Sequence, residues 1–171
     1  MKRQFAAHLA LILAALLCLG AEKKVKEFTG KVVGVSDGDT ITVLVGKAQK
    51  KVRLMGIDAP ESTQPYGSAA KQALSEAVFG QQVVVKWKEK DDYDRTLGFV
   101  FLNGKQINAS MIEAGYAWHY KQYSQDPSLA ALENAARAAK RGLWADQQQP
   151  IPPWDYRHHQ AALKGAQRTG S

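Results

Sequence analysis

The chain has 171 residues, one cysteine and a formal charge of +7. That length accommodates one domain with a real core and excludes two ordinary ones, and a single cysteine excludes an internal disulfide framework. The basic balance suits a polyanionic partner (nucleic acid, anionic glycan or membrane surface) without choosing among them.

Lys2 and Arg3 start the chain, residues 9–19 form an unbroken apolar run, and Gly20 and Ala21 follow. This is the plan of a secretory signal peptide, here residues 1–20. The run is shorter than the roughly 17–25 residues of a transmembrane helix. Export is therefore expected, secreted or periplasmic, with no transmembrane segment in the mature chain. An uncleaved anchor, or cleavage ahead of a lipid-modified Cys18, are the alternatives; bulky Leu16 and Leu17 speak against the second. Without residues 1–20 the chain loses Lys2, Arg3 and Cys18, leaving 21 basic against 16 acidic residues and no thiol chemistry.

Residues 21–27 read as a charged, poorly ordered lead. From Phe28 the pattern turns β-like. Val33 and Val35 precede Asp37-Gly38-Asp39, residues 40–45 are rich in β-branched side chains, and residues 51–57 alternate again, which predicts a three-stranded meander. A helix follows, with Ser68 as N-cap, an apolar stripe from Ala69 to Val78 and Gly80 past its end. Residues 82–88 and 97–102 read as two more strands, joined by a charged connection and closed by Asn103-Gly104. A short helix spans residues 108–114. The last helix begins with Asp126 as N-cap and Pro127 at its first position, and Gly142 lies beyond it. After Trp144 the glutamine- and proline-rich residues predict an extended C-terminal tail, 146–171. Five strands with three helices make an α+β chain, and a five-stranded barrel of the oligonucleotide-binding (OB) type fits that count.

Three clusters carry candidate chemistry. Asp37-Gly38-Asp39 is a hairpin signal, but a turn needs one aspartate, and Asp39 shares the parity of Ile41, Val43 and Val45. Arg53 shares a face with Met55 and Ile57 by period two, and Asp58 and Glu61 bracket Pro60 at the strand end. Asp91, Asp92, Tyr93, Asp94 and Arg95 form the third cluster, which by composition is also an ordinary charged loop. In a barrel such strand ends can meet. Hard cations such as Ca²⁺ take oxygen ligands, which Asp39, Asp58 and the Ala59 carbonyl offer. Glu61 suits a general base for water. Arg53 and Arg95 present forks matched to phosphate oxygens, and Tyr93 can hydrogen-bond one. His158-His159 lacks zinc-ligand spacing, and the four tryptophans read as packing residues, with Trp154 able to stack on a base if exposed.

The segments Val35-Ser-Asp-Gly-Asp-Thr40, Val52-Arg-Leu-Met-Gly-Ile-Asp-Ala-Pro-Glu61, Tyr66-Gly67, Asp92-Tyr-Asp-Arg95 and residues 108–115, in this order, resemble the thermonuclease, or staphylococcal-nuclease-like, family. The resemblance covers residues 28–145. It implies an OB-fold barrel with three helices and Ca²⁺-dependent cleavage of DNA and RNA. It also implies Asp39, Asp58 and the Ala59 carbonyl as calcium ligands, Glu61 beside the attacking water, Arg53 and Arg95 on the phosphate, and Tyr93 near the nucleotide. A second substrate tyrosine is Tyr120 or Tyr123. Ala59 stands where some members have threonine, and the loop 62–67 is short. No stable protein partner is expected, and the mature chain is expected to be a monomer. The alternative is a non-catalytic OB-fold nucleic-acid-binding module, since fold does not fix function.

Overall fold

A computed structural model describes residues 24–146 and 149–169; the expected leader, residues 1–20, lies outside them. The β-branched first half builds strands β1 (Lys26–Asp37), β2 (Thr40–Val45) and β3 (Ala48–Leu54) as an antiparallel meander. The charged lead is partly ordered: Lys26 and Glu27 open β1 and pair in register with Trp87 and Lys86. After Leu54 the chain breaks at Met55-Gly56, where Gly56 takes φ 79°, and resumes as the two-residue strand β4 (Ile57–Asp58). Residues 51–57 are thus two strands, not one.

Helix α1 (Gly67–Val78) follows, then β5 (Gln82–Lys90), β6 (Thr96–Leu102) and β7 (Lys105–Gln106). β5 pairs antiparallel with β1 and β6, and β6 pairs with β7. The ring closes through parallel pairing of β3 with β6, from Val52 opposite Thr96 to Leu54 opposite Gly98. Five strands form the expected closed barrel. Its interior is filled by Val32, Ile41, Val43, Val52, Val85 and Val100, all fully buried, each contributing about 1.5–3 kcal/mol by leaving water.

Helix α2 (Ile107–Glu113) and strand β8 (Trp118–His119) come next, β8 pairing with β4 outside the barrel. Asn108, on α2, is wholly buried. Its amide donates to the carbonyls of Met55 (2.9 Å) and Gly98 (3.1 Å), and its carbonyl accepts from the Val100 amide (2.9 Å). This fixes where the chain leaves β3 and turns toward Asp58.

Helix α3 (Pro127–Ala138) starts as expected: Asp126 accepts from the Ser128 amide, with Pro127 at the first position. It ends at Ala139, ahead of a 3₁₀ turn at Gly142–Ala145. For α1 the N-cap is Tyr66, at φ 66°, not Ser68. The reason is tertiary: a Cβ on Gly67 would lie 1.9 Å from the Glu61 carbonyl oxygen, so the chain enters the helix where that close approach dictates.

The expected extended tail is a helix over most of its length, α4 (Pro153–Thr169), which makes four α-helices among the described residues where three were expected. Pro153 opens it, a position where a missing N–H costs nothing, and Asp155 lies in its first turn. Pro153 is buried and Trp154 half-buried, whereas residues 161–166 are exposed. Trp154 packs on a second small core of Trp118, Ala136, Leu143 and Trp144. Among the described residues no helix is long and apolar enough to cross a membrane.

Candidate active site

The turn between β1 and β2 gives its two aspartates different work. Asp37 accepts the Asp39 amide at 3.0 Å, an Asx turn. Asp39, 2% exposed, faces inward. One carboxylate oxygen receives the Thr40 hydroxyl (3.1 Å) and pairs with Arg53; the other receives the Ala59 amide (2.8 Å). Gly38 permits this packing, because a Cβ there would meet Ala70 and Ala59 at 2.6 and 2.7 Å.

Arg53 joins Asp39 to Asp58. Its second amino group lies 2.6 Å from an Asp58 oxygen. The face expected for it needs correcting. Val52 and Leu54 point into the core, so Arg53 has the opposite parity, and Ile57 belongs to a separate strand. What holds Arg53 is two buried carboxylates, not apolar neighbours. A buried charge must be paired in this way.

Glu61 lies three residues beyond Asp58 on a loop shaped by Gln64. The Gln64 side chain accepts the Glu61 amide at 3.1 Å, and its own amide nitrogen donates to the Ile151 carbonyl at 2.5 Å. The Glu61 side chain is 38% exposed. Above it lies Arg157 from α4, whose guanidinium reaches Glu61 (2.8 Å) and both oxygens of Asp58 (2.8 and 3.3 Å). Burial works against the Arg157 charge, but the hydrogen bonds and charges of Asp58 and Glu61 outweigh it and raise its pKa. Sequence reading missed both Gln64 and Arg157. Gln64 carried no local signal, and Arg157 stood in a segment read as an unattached tail.

Tyr120 joins the same site. Burial first, then the charge of Asp58, raise its pKa, with Arg157 opposing. Its ring stacks on Trp154 (centroids 5.3 Å apart, 4° between planes) and meets Tyr123 edge-on at 4.7 Å. Tyr123 is 62% exposed. Beside them a cavity of about 280 Å³ is lined by His119, Lys121, Glu133 and Trp154, among others. His119 is buried and burial lowers its pKa.

Arg95 and Tyr93 sit apart, on the β5–β6 hairpin. Asp91 accepts the amides of Tyr93 (3.0 Å) and Arg95 (2.9 Å), and pairs with the Arg95 side chain at 2.7 Å. Burial would raise the Asp91 pKa, but the Arg95 hydrogen bonds and charge, helped by the Tyr93 amide, hold it below the usual carboxylate value. Tyr93 is 81% exposed, with the Arg95 guanidinium 5.4 Å from its ring centre. Arg95 thus binds Asp91 rather than the Asp39–Asp58–Glu61 group, although Leu97, two residues on, is the register partner of Arg53.

Asp39 and Asp58 offer carboxylate oxygens, which are the donors a hard cation takes, while the Ala59 backbone meets Asp39 through its amide. Two buried carboxylates that converge on one guanidinium concentrate negative charge as such an ion requires. Among the described residues no three His, Cys, Asp or Glu side chains group into a metal cage.

Comparison with known proteins gives a consistent picture. The family model described as Staphylococcal nuclease homologue matches residues 51–146, a span that begins after Asp39 and ends before α4. A relative named Uncharacterized endonuclease from Escherichia coli O157:H7 is 45% identical over 130 residues, covering 75% of this chain and 84% of its own. One named Micrococcal nuclease from Shigella flexneri is 41% identical over 162 residues, covering 88% and 92%. An Uncharacterized endonuclease from Haemophilus influenzae is 42% identical over 153 residues, covering 89% and 83%.

Proposed function

This chain belongs to the staphylococcal nuclease homologue family, and from that premise we propose that it is a Ca²⁺-dependent nuclease hydrolysing phosphodiester bonds in DNA and RNA. The observation that carries the reading is the buried Asp39–Arg53–Asp58 group with Glu61 at its edge. Asp39, Asp58 and the Ala59 carbonyl would hold the cation. When bound, the ion supplies positive charge for the phosphate and lowers the pKa of water.

The remaining work falls to side chains. Glu61, reached by solvent, accepts a proton from the attacking water, a role worth ~10²–10⁴-fold. Water oxygen bonds to phosphorus, the bond to the leaving ester oxygen breaks, and that oxygen takes up a proton. Arg53 and Arg95 present forked donors to the phosphate oxygens as negative charge builds. For Arg95 this means exchanging Asp91 for the phosphate. Tyr93, Tyr120 and Tyr123 offer hydroxyls and ring faces to the nucleotide. Residues 28–145 form the nuclease domain in this reading, and residues 1–20 direct export to the periplasm or outside the cell. Immunoblotting of cell fractions tests that last step: a cytoplasmic chain of full length would overturn it.

Cleavage of single- and double-stranded DNA by the purified protein, in Ca²⁺ and in chelator, beside Glu61→Gln, tests the activity. Calcium-dependent degradation lost in the variant is expected. Binding without cleavage in Ca²⁺, Mg²⁺ or Mn²⁺ would make the chain a non-catalytic binding module instead.

A further inference from the structure

We propose that the C-terminal arm is a cation-released latch: Arg157 takes the place of the divalent ion on Asp58 and Glu61, and binding of the ion frees the arm. The inference rests on the cation site proposed above and adds a regulatory element to it.

Both oxygens of Asp58 are already engaged by arginine. One receives Arg53 at 2.6 Å and Arg157 at 3.3 Å; the other receives Arg157 at 2.8 Å. Asp58 is wholly buried, and neither of its two oxygens is left free of an arginine. Glu61 gives one of its oxygens to the same guanidinium. Both amino groups of Arg157 are therefore committed to carboxylates. A divalent ion that takes Asp58 must displace an arginine, because both oxygens are already held by guanidiniums and a third cation crowded against those two would be strongly repelled.

The arginine that yields is decided by anchoring. Arg53 projects from a barrel strand, holds Asp39 as well, and has a side chain 15% exposed. Arg157 is 39% exposed and comes from a helix whose residues 161–166 are exposed. Besides Arg157, the arm is fastened by Gln64 to the Ile151 carbonyl (2.5 Å), by the Tyr156 hydroxyl to Thr63 (3.1 and 3.2 Å), and by Trp154, which stacks on Tyr120 and packs on the small core of Trp118, Ala136, Leu143 and Trp144. These fasteners also cover the ring face of Tyr120, on which a substrate base would stack. Arm docking and ion binding thus oppose each other, and by linkage each weakens the other by the same factor.

Calorimetric titration of Ca²⁺ into the purified protein and into Arg157→Gln tests the competition. The variant is expected to bind the ion roughly five- to fifty-fold more tightly, within the usual range of coupling between two sites. Trp154→Ala, which loosens the arm and leaves the carboxylates and Arg157 in place, is expected to shift affinity in the same direction by less. Hydrogen exchange read by mass spectrometry supplies a second readout. Saturating Ca²⁺ should speed exchange over residues 153–164, since most of a helix's stability in a protein comes from tertiary packing, which the released arm loses.

Equal or weaker Ca²⁺ affinity in Arg157→Gln, or unchanged exchange in the arm at saturating ion, would overturn the latch and leave the cation site standing. Absence of Ca²⁺ binding in every form would remove the cation site, and the latch with it.

Discussion

The carboxylate group around Asp58 and the β5–β6 hairpin around Asp91 use the same residue types in different surroundings. At Asp58, two arginines serve one fully buried carboxylate, and each arginine reaches a second acid. At Asp91 a single arginine four residues on closes a loop, with the partners 28% and 18% exposed. Water decides what each pairing is worth. A buried network strands a charge when one member is removed, whereas an ion pair near solvent has little to lose. The first region holds the barrel end together and the second shapes a turn that presents Arg95.

Breaking the buried side should have the largest effect. Asp58→Ala leaves Arg53 with one acid and Arg157 with one. It should cost about 3 kcal/mol, the low end for a broken buried pair because Arg157 can swing into water, and it should abolish cleavage. Urea denaturation checks the first part, and a change within ~0.5 kcal/mol would contradict the buried network. Glu61→Gln sharpens the division between stability and chemistry. Turnover should fall ~10²–10⁴-fold while the denaturation midpoint scarcely moves, since Glu61 is partly exposed; a large drop in stability with normal turnover would reverse its role.

On the hairpin, Arg95→Lys keeps the charge and loses the fork. It should slow cleavage by roughly 10²-fold with little change in stability, and unimpaired rates would remove Arg95 from the phosphate. Asp91→Asn should have the smallest effect, about 1 kcal/mol or less, and a pH dependence of known sign. The folded Asp91 pKa lies below its unfolded value, so its contribution is present above the unfolded pKa and fades as pH falls through the folded one. Stability curves of wild type and variant should therefore converge in acid; a gap that widened as pH fell would refute the assignment.

Much of this was legible in the residues. Asp126-Pro127 marks the start of α3, Asp37-Gly38 marks a turn, and the β-branched runs mark barrel strands, because capping, turn geometry and alternation act over a few neighbouring residues. The acids and arginines of the expected site could be named from motif order. Less legible was the strand break after Leu54, because it depends on Asn108, 53 residues away, binding the Met55 carbonyl. The N-cap of α1 was displaced to Tyr66 by a contact between Gly67 and Glu61 that no local propensity encodes.

The sequence by itself determined the five barrel strands in outline and the chain's family, since each of these is written in local pattern or motif order. Tertiary structure alone decided barrel closure through β3 and β6, the parity of Arg53 and the placement of Arg157 on Asp58, 99 residues earlier in the chain. An ion pair over that separation has no period or spacing to announce it. It exists because the path of the backbone brings a helix end to a buried carboxylate, and the cost of leaving that charge unpaired does the rest.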